Sequence, residues 1–405
     1  MKKSIFSIFT LLFFVIAIQA QNGTDAPKTA TSSTKKWYEA IGLRGYMQVR
    51  YNKLLETNPD LGCEQCDKSW GGENSFFIRR GRLVFSGNVH DRIYIYIQPD
   101  FASSASSTSN HFFQIRDAYV DISLDSKKEF RFRVGQSKVP YGFENMQSSQ
   151  NRLTLDRNDA LNSAVANERD LGVMFYWAPK GKRELFSKLI SDGLKGSGDY
   201  GVVGLGIYNG QTANRSEANN NQHVVGRVSY PFEFDNGQVL ETGIQGYTGK
   251  YVVQSISTSK SVVVKPNGEY LDQRAAASVI LYPKPFGLQA EYNIGTGPEY
   301  NKANNTIEQK RLYGGYVQGC YNIKIDQQVM LPFVKYQMYR GGKKHELDAR
   351  SYSVNDLEIG VEWQPFKNLE LVADYTISSR RYEDAVKVDN SQKGNLLRLQ
   401  LQINF

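Results

Sequence analysis

Apolar and polar residues alternate with a period of two along most of the chain from Ile41 onward. The clearest example is the last segment, residues 395–405. Its apolar positions are Leu397, Leu399, Leu401, Ile403 and Phe405, and its polar positions are Arg398, Gln400, Gln402 and Asn404. Because successive side chains of a strand point to opposite faces, this pattern predicts a β-strand with one apolar and one polar face.

The same pattern predicts sixteen strands. They are centred near Met47, Val84, Ile95, Tyr119, Phe132, Met174, Leu205, Arg227, Ile244, Ala277, Ala290, Val317, Val334, Ile359, Ala373 and Leu399. An even number allows an antiparallel barrel to close with both termini at one end. Closure also removes the free sheet edges that lipid cannot satisfy.

The predicted links alternate between short and long, as periplasmic turns and external loops do in outer-membrane barrels. The short links are residues 88–92, 125–128, 231–238, 283–287, 324–327 and 365–368. The long links are residues 52–75, 102–113, 137–168, 209–222, 250–272, 295–310, 340–353 and 378–393. A soluble two-sheet sandwich, the alternative, would not be expected to alternate in this way. We therefore expect an all-β fold, a 16-stranded antiparallel transmembrane β-barrel.

One link departs from this alternation. Residues 178–200 are long for a periplasmic turn, and the spacing of Leu185, Leu189, Ile190 and Leu194 predicts a short amphipathic helix.

The N-terminus predicts export. Residues 1–20 combine two lysines, an apolar segment and a final Ala20, which is typical of a signal peptide cleaved after that residue. Residues 21–40 form a polar segment that we expect to be flexible, and the barrel domain is expected over residues 41–405.

Composition excludes a bundle of membrane-spanning helices, because the mean hydropathy is only −0.48. A barrel is compatible with this value, since only alternate residues meet lipid. The 25 Tyr and 21 Phe suit a lipid-facing surface with aromatic girdles.

The formal net charge is +8. A barrel of this size places the polar faces of its strands around a water-filled lumen, so the charged residues on those faces are candidates for contact with a solute. Early strands supply basic residues to that face, whereas late strands supply acidic ones. The basic set is Arg44, Arg50, Arg80, Arg82, Arg131 and Arg133; the acidic set is Glu291, Glu358, Glu362, Glu370 and Asp374. The arginines are either solvated residues balanced by these carboxylates, or a track whose forked donors bind anions.

The longest link without a strand, residues 137–168, follows the fifth strand and contains several charged residues, among them Lys138. We expect it to fold inward and narrow the channel; an ordinary surface loop is the alternative.

Four sequence blocks resemble the phosphate-selective porin O and P family. They are FIRRGRL at residues 77–83, IRDAYV at 115–120, RVGQSKVPYG at 133–142 and RDLGV at 169–173. The resemblance implies a 16-stranded porin, usually trimeric, whose lumenal Arg and Lys residues guide anions. Arg79 and Arg80 match the family's paired arginines, although strict alternation turns only Arg80 inward unless a bulge intervenes. Lys138 matches a basic or polar position ahead of a Pro-aromatic-Gly turn.

The expected function is passive diffusion of small hydrophilic solutes, with a preference for phosphate or similar anions, across the outer membrane of a Gram-negative bacterium. A structural or adhesive barrel is the alternative. Expected partners are outer-membrane lipid, small anionic solutes, two further copies of the chain in a homotrimer, and the barrel-assembly machinery that reads a final strand ending in Phe405.

Other chemistry is not expected. No histidine lies beside a Ser-centred motif, so we predict no enzyme activity, and no cofactor, metal or nucleic-acid site is predicted. Cys63 and Cys66 form a CxxC in the first external loop. Without a second ligand pair, a local disulfide is the preferred interpretation in an oxidising compartment.

Overall fold

The computed structural model describes residues 37–55, 74–101 and 113–405. The strands within these ranges form a single antiparallel sheet. The predicted signal peptide, most of the predicted flexible segment, and Cys63 and Cys66 lie outside the described residues. The strands are β1 Ile41–Leu54, β2 Ser75–His90, β3 Ile93–Asp100, β4 Gln114–Ser123, β5 Phe130–Lys138, β6 Arg169–Trp177, β7 Val203–Tyr208, β8 His223–Glu233, β9 Val239–Val252, β10 Glu269–Leu281, β11 Phe286–Asn301, β12 Thr306–Tyr321, β13 Gln328–Gly342, β14 Ser351–Phe366, β15 Leu369–Glu383 and β16 Ser391–Asn404.

After a break at Asn322, Ile323–Ile325 continues β12 and pairs with the same neighbour, so we count both pieces as one strand. The sheet closes because β1 pairs with β16 over nine registered positions, from Tyr46↔Asn404 to Leu54↔Leu396. The main chains of Gly45 and Phe405 also exchange hydrogen bonds of 2.7 and 3.0 Å. Every strand therefore has two neighbours, and the predicted 16-stranded barrel is confirmed.

The two faces of each strand differ as the alternation predicts. In β16, Leu399 is 43% exposed and Ile403 is 39% exposed, whereas Arg398 and Gln402 are buried. The outer face is thus apolar and the inner face polar, which is the arrangement that a barrel in lipid requires.

Three α-helices occur in the described residues: α1 Phe143–Met146, α2 Asp159–Asn162 and α3 Lys180–Ser191. Short 3-10 turns lie at Trp37–Ala40, Ala166–Glu168, Thr258–Lys260 and Leu347–Ala349. No helix in this part of the chain is long and apolar enough to cross a membrane. The predicted helix is present as α3, but it ends at Ser191, so Leu194 follows the helix instead of belonging to it.

Every predicted strand centre lies in a strand, but several long links are shorter than expected. The link predicted at residues 295–310 is only 302–305, because β11 and β12 remain paired as far as Asn301↔Thr306. Similarly, the late links comprise residues 253–268, 343–350 and 384–390. The hydrogen bonds between paired strands are made by the backbone and do not require apolar side chains. The point where the apolar pattern stops therefore marks the end of the lipid-facing band and not the end of the strand.

Candidate functional site

Loop 3, which we define as residues 139–168 between β5 and β6, packs against inward-facing side chains of the barrel. Its apolar residues share one buried cluster with residues of the wall. The loop contributes Val139, Tyr141, Ala160, Leu161, Ala164 and Val165, and the wall contributes Met174, Tyr176, Tyr208, Val225, Tyr247, Ala276, Leu312 and Tyr339 among others. Burial of this apolar surface stabilises the loop against the inner wall.

Polar contacts anchor the same loop to two strands, β11 and β13, and to the link that follows β13. The Lys335 ammonium donates to Glu144 Oε1 over 2.6 Å, and the Lys343 ammonium donates to Asp159 Oδ1 over 2.5 Å. The first two backbone N–H groups of α1 donate to the Glu291 carboxylate over 2.6 and 2.9 Å. Both ion pairs are buried, but Asp159 also lies 3.2 Å from Arg380 Nη1, so loss of one partner is most costly for Lys335 and Glu144.

Five arginines gather where β1 and β2 face loop 3, and we call them the arginine cluster. They are Arg50 on β1, Arg79, Arg80 and Arg82 on β2, and Arg152 in loop 3. Four of these residues are buried, and Arg79 is half-buried. Arg79, Arg82 and Arg152 all lie close enough to Arg80 to repel its charge. This part of the lumen therefore carries concentrated positive charge.

A β-bulge accounts for the position of Arg79. Gln48 pairs with Arg80, but the next residue, Val49, pairs with Ile78, so Arg79 is the extra residue in β2. Its charge lies within reach of Asp100 and Asp156. The bulge thus places two consecutive arginines beside the lumen, which strict alternation would not allow.

Two members of the cluster are paired with acids. Arg82 donates to Asp100 Oδ2 over 2.7 Å and to the Tyr46 hydroxyl over 2.8 Å. Arg50 donates to Gln400 Oε1 over 2.8 Å and lies 3.8 Å from Asp156 Oδ1. The charges of these two arginines are therefore partly compensated.

The other three members have no carboxylate within ion-pair distance among the described residues. Arg80 Nη1 donates to the amide oxygen of Gln48 over 2.8 Å, and Arg152 Nη2 donates to the Leu155 carbonyl over 3.2 Å. The Nε atoms of Arg79, Arg80 and Arg152, and Nη1 of Arg152, are buried without an acceptor among the described protein atoms. Buried charged donors without acceptors are costly, so an anion at this position would be stabilised.

The remaining basic residues predicted from sequence lie elsewhere. Arg133 forms two hydrogen bonds with Asp121, of 2.7 and 2.8 Å, and its guanidinium carbon lies 3.9 Å from the centre of the Tyr119 ring. Arg131 pairs with Asp199 over 2.8 Å. These two arginines are compensated by acids.

Lys138 and Arg44 also lie outside the cluster. The Lys138 ammonium donates to the carbonyls of Met146 and Gln147 over 2.7 and 2.6 Å, so it holds the backbone of loop 3. Arg44 is exposed near the start of β1, with its guanidinium carbon 5.8 Å from the centre of the Tyr96 ring.

The five acidic residues predicted on the late strands are all buried on the inner face, and four of them lie near cations that the predicted site omitted. Arg398 Nη2 lies 3.1 Å from Glu358 and 3.3 Å from Asp374. Lys195 Nζ lies 2.5 Å from Glu362 and 3.9 Å from Glu370. Two cations thus partly compensate four of these carboxylates, and no ion pair of Glu291 occurs among the described residues.

Lys195 belongs to the long link after β6, which reaches loop 3. Leu185, Leu189 and Leu194 of this link share a buried cluster with Phe143 of loop 3. The Gln147 amide also donates to the Lys195 carbonyl over 2.5 Å. The spacing of the leucines predicts an apolar helix face, but nothing in the sequence periodicity signals the contacts of Lys195, which lies beyond the helix and outside any strand.

In the described parts of the chain, no group of three or more His, Cys, Asp or Glu residues is placed to hold a metal ion. A closed barrel with an apolar outer face and a charged lumen defines the porin class of outer-membrane proteins. Residues 60–405 match the family model described as phosphate-selective porin O and P, and the chain belongs to that family.

Three solved structures have the same fold. The Salmonella typhi OmpF complex with daunomycin is 12% identical, with a TM-score of 0.57 and coverage of 90% of this chain and 97% of that one. The trimer form of Vibrio cholerae OmpT is 10% identical, with a TM-score of 0.51 and coverage of 90% and 99%. The anion-selective porin from Comamonas acidovorans is 9% identical, with a TM-score of 0.50 and the same coverage. No curated protein sequence matches this chain.

Proposed function

We propose that this outer-membrane porin passes small hydrophilic anions by passive diffusion and that the arginine cluster is the site that attracts them. The observation that carries the proposal is the group of buried, uncompensated guanidinium nitrogens on Arg79, Arg80 and Arg152. Guanidinium groups present forked donors that suit phosphate and carboxylate oxygens.

The distribution of acids supports the same preference. Arg398 and Lys195 each lie beside two carboxylates of the late strands and partly compensate them, and Lys335 compensates Glu144 of loop 3. The arginine cluster has fewer acidic partners than basic members. A solute entering the lumen would therefore meet net positive charge beside β1 and β2, which favours anions and repels cations.

Loop 3 is proposed as the constriction, because its Arg152 completes the cluster opposite β1 and β2. Lys138 acts indirectly in this proposal, since its ammonium fixes the backbone at Met146 and Gln147. Arg131 and Arg133 contribute less, because acidic partners compensate their charges. Arg44 would meet the solute near the predicted periplasmic end of the barrel.

The assembly is proposed to be a homotrimer whose final strand, ending in Phe405, is read by the barrel-assembly machinery. A trimer form is known for the Vibrio cholerae OmpT structure, which shares the fold. The protein is proposed to act without catalysis, and phosphate is proposed as one permeating anion because the family carries that description.

Electrical recording in a planar bilayer under a KCl gradient tests the proposal. We expect a reversal potential whose sign shows chloride preference, and phosphate should reduce the chloride current. In Arg80→Gln the phosphate effect should weaken, whereas Lys302→Gln, which changes a cation near the predicted external surface, should behave as the wild type. A cation preference would contradict the proposal, and a complete absence of conductance would favour a structural barrel.

A further inference from the structure

The outer surface of β13–β16 contains a groove of about 450 Å³ that the pore does not use. Most of its lining residues have outward parity and come from adjacent strands; Asp356, Ser378 and Gly394, which alternate with them along the strands, have inward parity. The apolar part is formed by Leu357 and Ile377, and the polar part by Tyr336, Asn355, Ser379 and Lys393. The groove therefore combines a surface suited to hydrocarbon with groups suited to a polar head.

Strand register orders these residues along the barrel axis. Tyr336, Leu357 and Ile377 lie side by side in one row across β13, β14 and β15. The next row toward the predicted external end contains Asn355 and Lys393.

The neighbouring rows show that the outer face changes from apolar to basic along the barrel axis. Beyond Asn355 lies a row containing Arg340 and Arg381, paired through Ser353. In the opposite direction, Val334 and Ile359 begin a continuous apolar surface. The groove thus lies where the apolar outer face changes to a basic one.

The position of this change agrees with the depth of a membrane. Phe366 marks one end of the lipid-facing surface of β14, and Asn355 lies eleven residues away along the strand. At ~3.4 Å per residue and a tilt of ~40°, that distance corresponds to about 28 Å along the membrane normal. The apolar band of such barrels is ~25 Å tall, so Asn355 lies at the external boundary.

Basic groups near the groove lack acidic partners. Lys393 is exposed, and no carboxylate among the described residues lies within ion-pair distance of it or of Arg340. Arg340 Nη1 donates to the carbonyls of Tyr339 and Val354, over 3.0 and 3.1 Å. Arg381 differs, because it pairs with Glu383. Lys393 and Arg340 therefore present positive charge at the depth where lipid head groups lie.

We propose that this groove binds a phosphorylated lipid of the outer leaflet. An acyl chain packs on Leu357 and Ile377, and a head-group phosphate accepts hydrogen bonds from Lys393 and Arg340. The lipid is favoured over a second copy of the chain because two uncompensated cations would be costly in an interface between identical surfaces. The inference does not depend on which solute the pore passes.

Native mass spectrometry of the purified full-length protein tests this site, with a diphosphorylated multi-acyl glycolipid as the probe. The double variant Lys393→Gln/Arg340→Gln should bind the probe about 30-fold more weakly, since each basic group near a membrane surface contributes a several-fold effect. Ile377→Trp, which fills the groove, should also reduce binding. Lys250→Gln is the matched control, because Lys250 is an outward-facing lysine on β9, 3.6 Å from Glu269.

The lipid and its alternatives give different results. A dephosphorylated form of the probe should bind poorly to the wild type, and inorganic phosphate should not displace the intact probe. Unchanged binding by the double variant, equal binding of the dephosphorylated lipid, or displacement by inorganic phosphate would overturn the proposal. Loss of oligomers in the double variant with unchanged lipid binding would identify the surface as a subunit interface and would also overturn it. A heat-modifiability gel establishes that each variant is folded.

Discussion

Glu144→Ala is expected to release loop 3 while leaving the barrel intact. The Glu144 carboxylate accepts hydrogen bonds from the Lys335 ammonium and from the backbone and side-chain nitrogens of Asn158, each 2.6 Å long. Removing it leaves the Lys335 charge buried without its acid. Breaking a buried pair in this way costs about 3–5 kcal/mol. The population of the displaced loop should therefore rise roughly 150- to 4,000-fold.

Single-channel recording measures that displacement. The variant should show higher conductance and more frequent transitions between conductance levels than the wild type, because loop 3 no longer holds one position. Lys180→Ala is the control, since Lys180 belongs to an exposed pair with Glu184 that is worth little. If Glu144→Ala conducts with the amplitude and noise of the wild type, this ion pair does not hold the loop.

The pH dependence of the same contact has a defined sign. Burial acts to raise the pKa of Glu144, but Lys335, Arg152 and the Asn158 backbone N–H together hold that pKa below its ordinary value. Stabilisation by a carboxylate with a lowered pKa is present above the ordinary glutamate pKa of about 4.3 and is lost as the pH falls through the lowered value. The difference in conductance between the wild type and Glu144→Ala, which reports this contact, should thus be constant between neutral pH and about pH 5.

Three further changes have expected outcomes. Asp156→Asn should increase anion preference in reversal-potential measurements, because it removes an acid that lies 3.8 Å from Arg50; an unchanged potential would place Asp156 outside the solute path. Lys195→Gln should shift the reversal potential toward cations, since Glu362 loses its partner at 2.5 Å. Gly135→Ala should lower the melting temperature on heat-modifiability gels, because the new Cβ would lie 2.3 Å from the Ala118 carbonyl at a φ of +125°. Gly181→Ala, which meets nothing within 4 Å, should melt as the wild type does.

Sequence periodicity was sufficient to predict the barrel because alternate side chains of each strand face lipid on the outside and the polar lumen on the inside. Leu399 and Arg398 are adjacent in sequence, yet one is 43% exposed on the outer face and the other is buried inside. The requirement repeats in every strand, so strand number and direction follow from it. The ends of the strands cannot be predicted in this way, because β11 and β12 stay paired after the apolar pattern stops.

The candidate site was less predictable, since it depends on contacts between distant segments. Alternation placed Arg80 and Arg82 on the inner face, but the position of Arg79 depends on a bulge that no local pattern signals. The compensation of Arg133 by Asp121 follows from pairing between β4 and β5 and could have been read from their register. The position of Lys195 beside Glu362 required the tertiary structure.

The most direct test of the central claim is the chloride-to-potassium permeability ratio of the wild type and of Arg79→Gln/Arg80→Gln/Arg152→Gln. These three arginines carry buried guanidinium nitrogens without an acceptor and have no carboxylate within ion-pair distance among the described residues, so the wild type should prefer chloride and the triple variant should lose most of that preference. Arg381→Gln, which changes an outward-facing arginine, should retain the wild-type ratio. A triple variant with undiminished chloride preference would show that the arginine cluster does not select the solute.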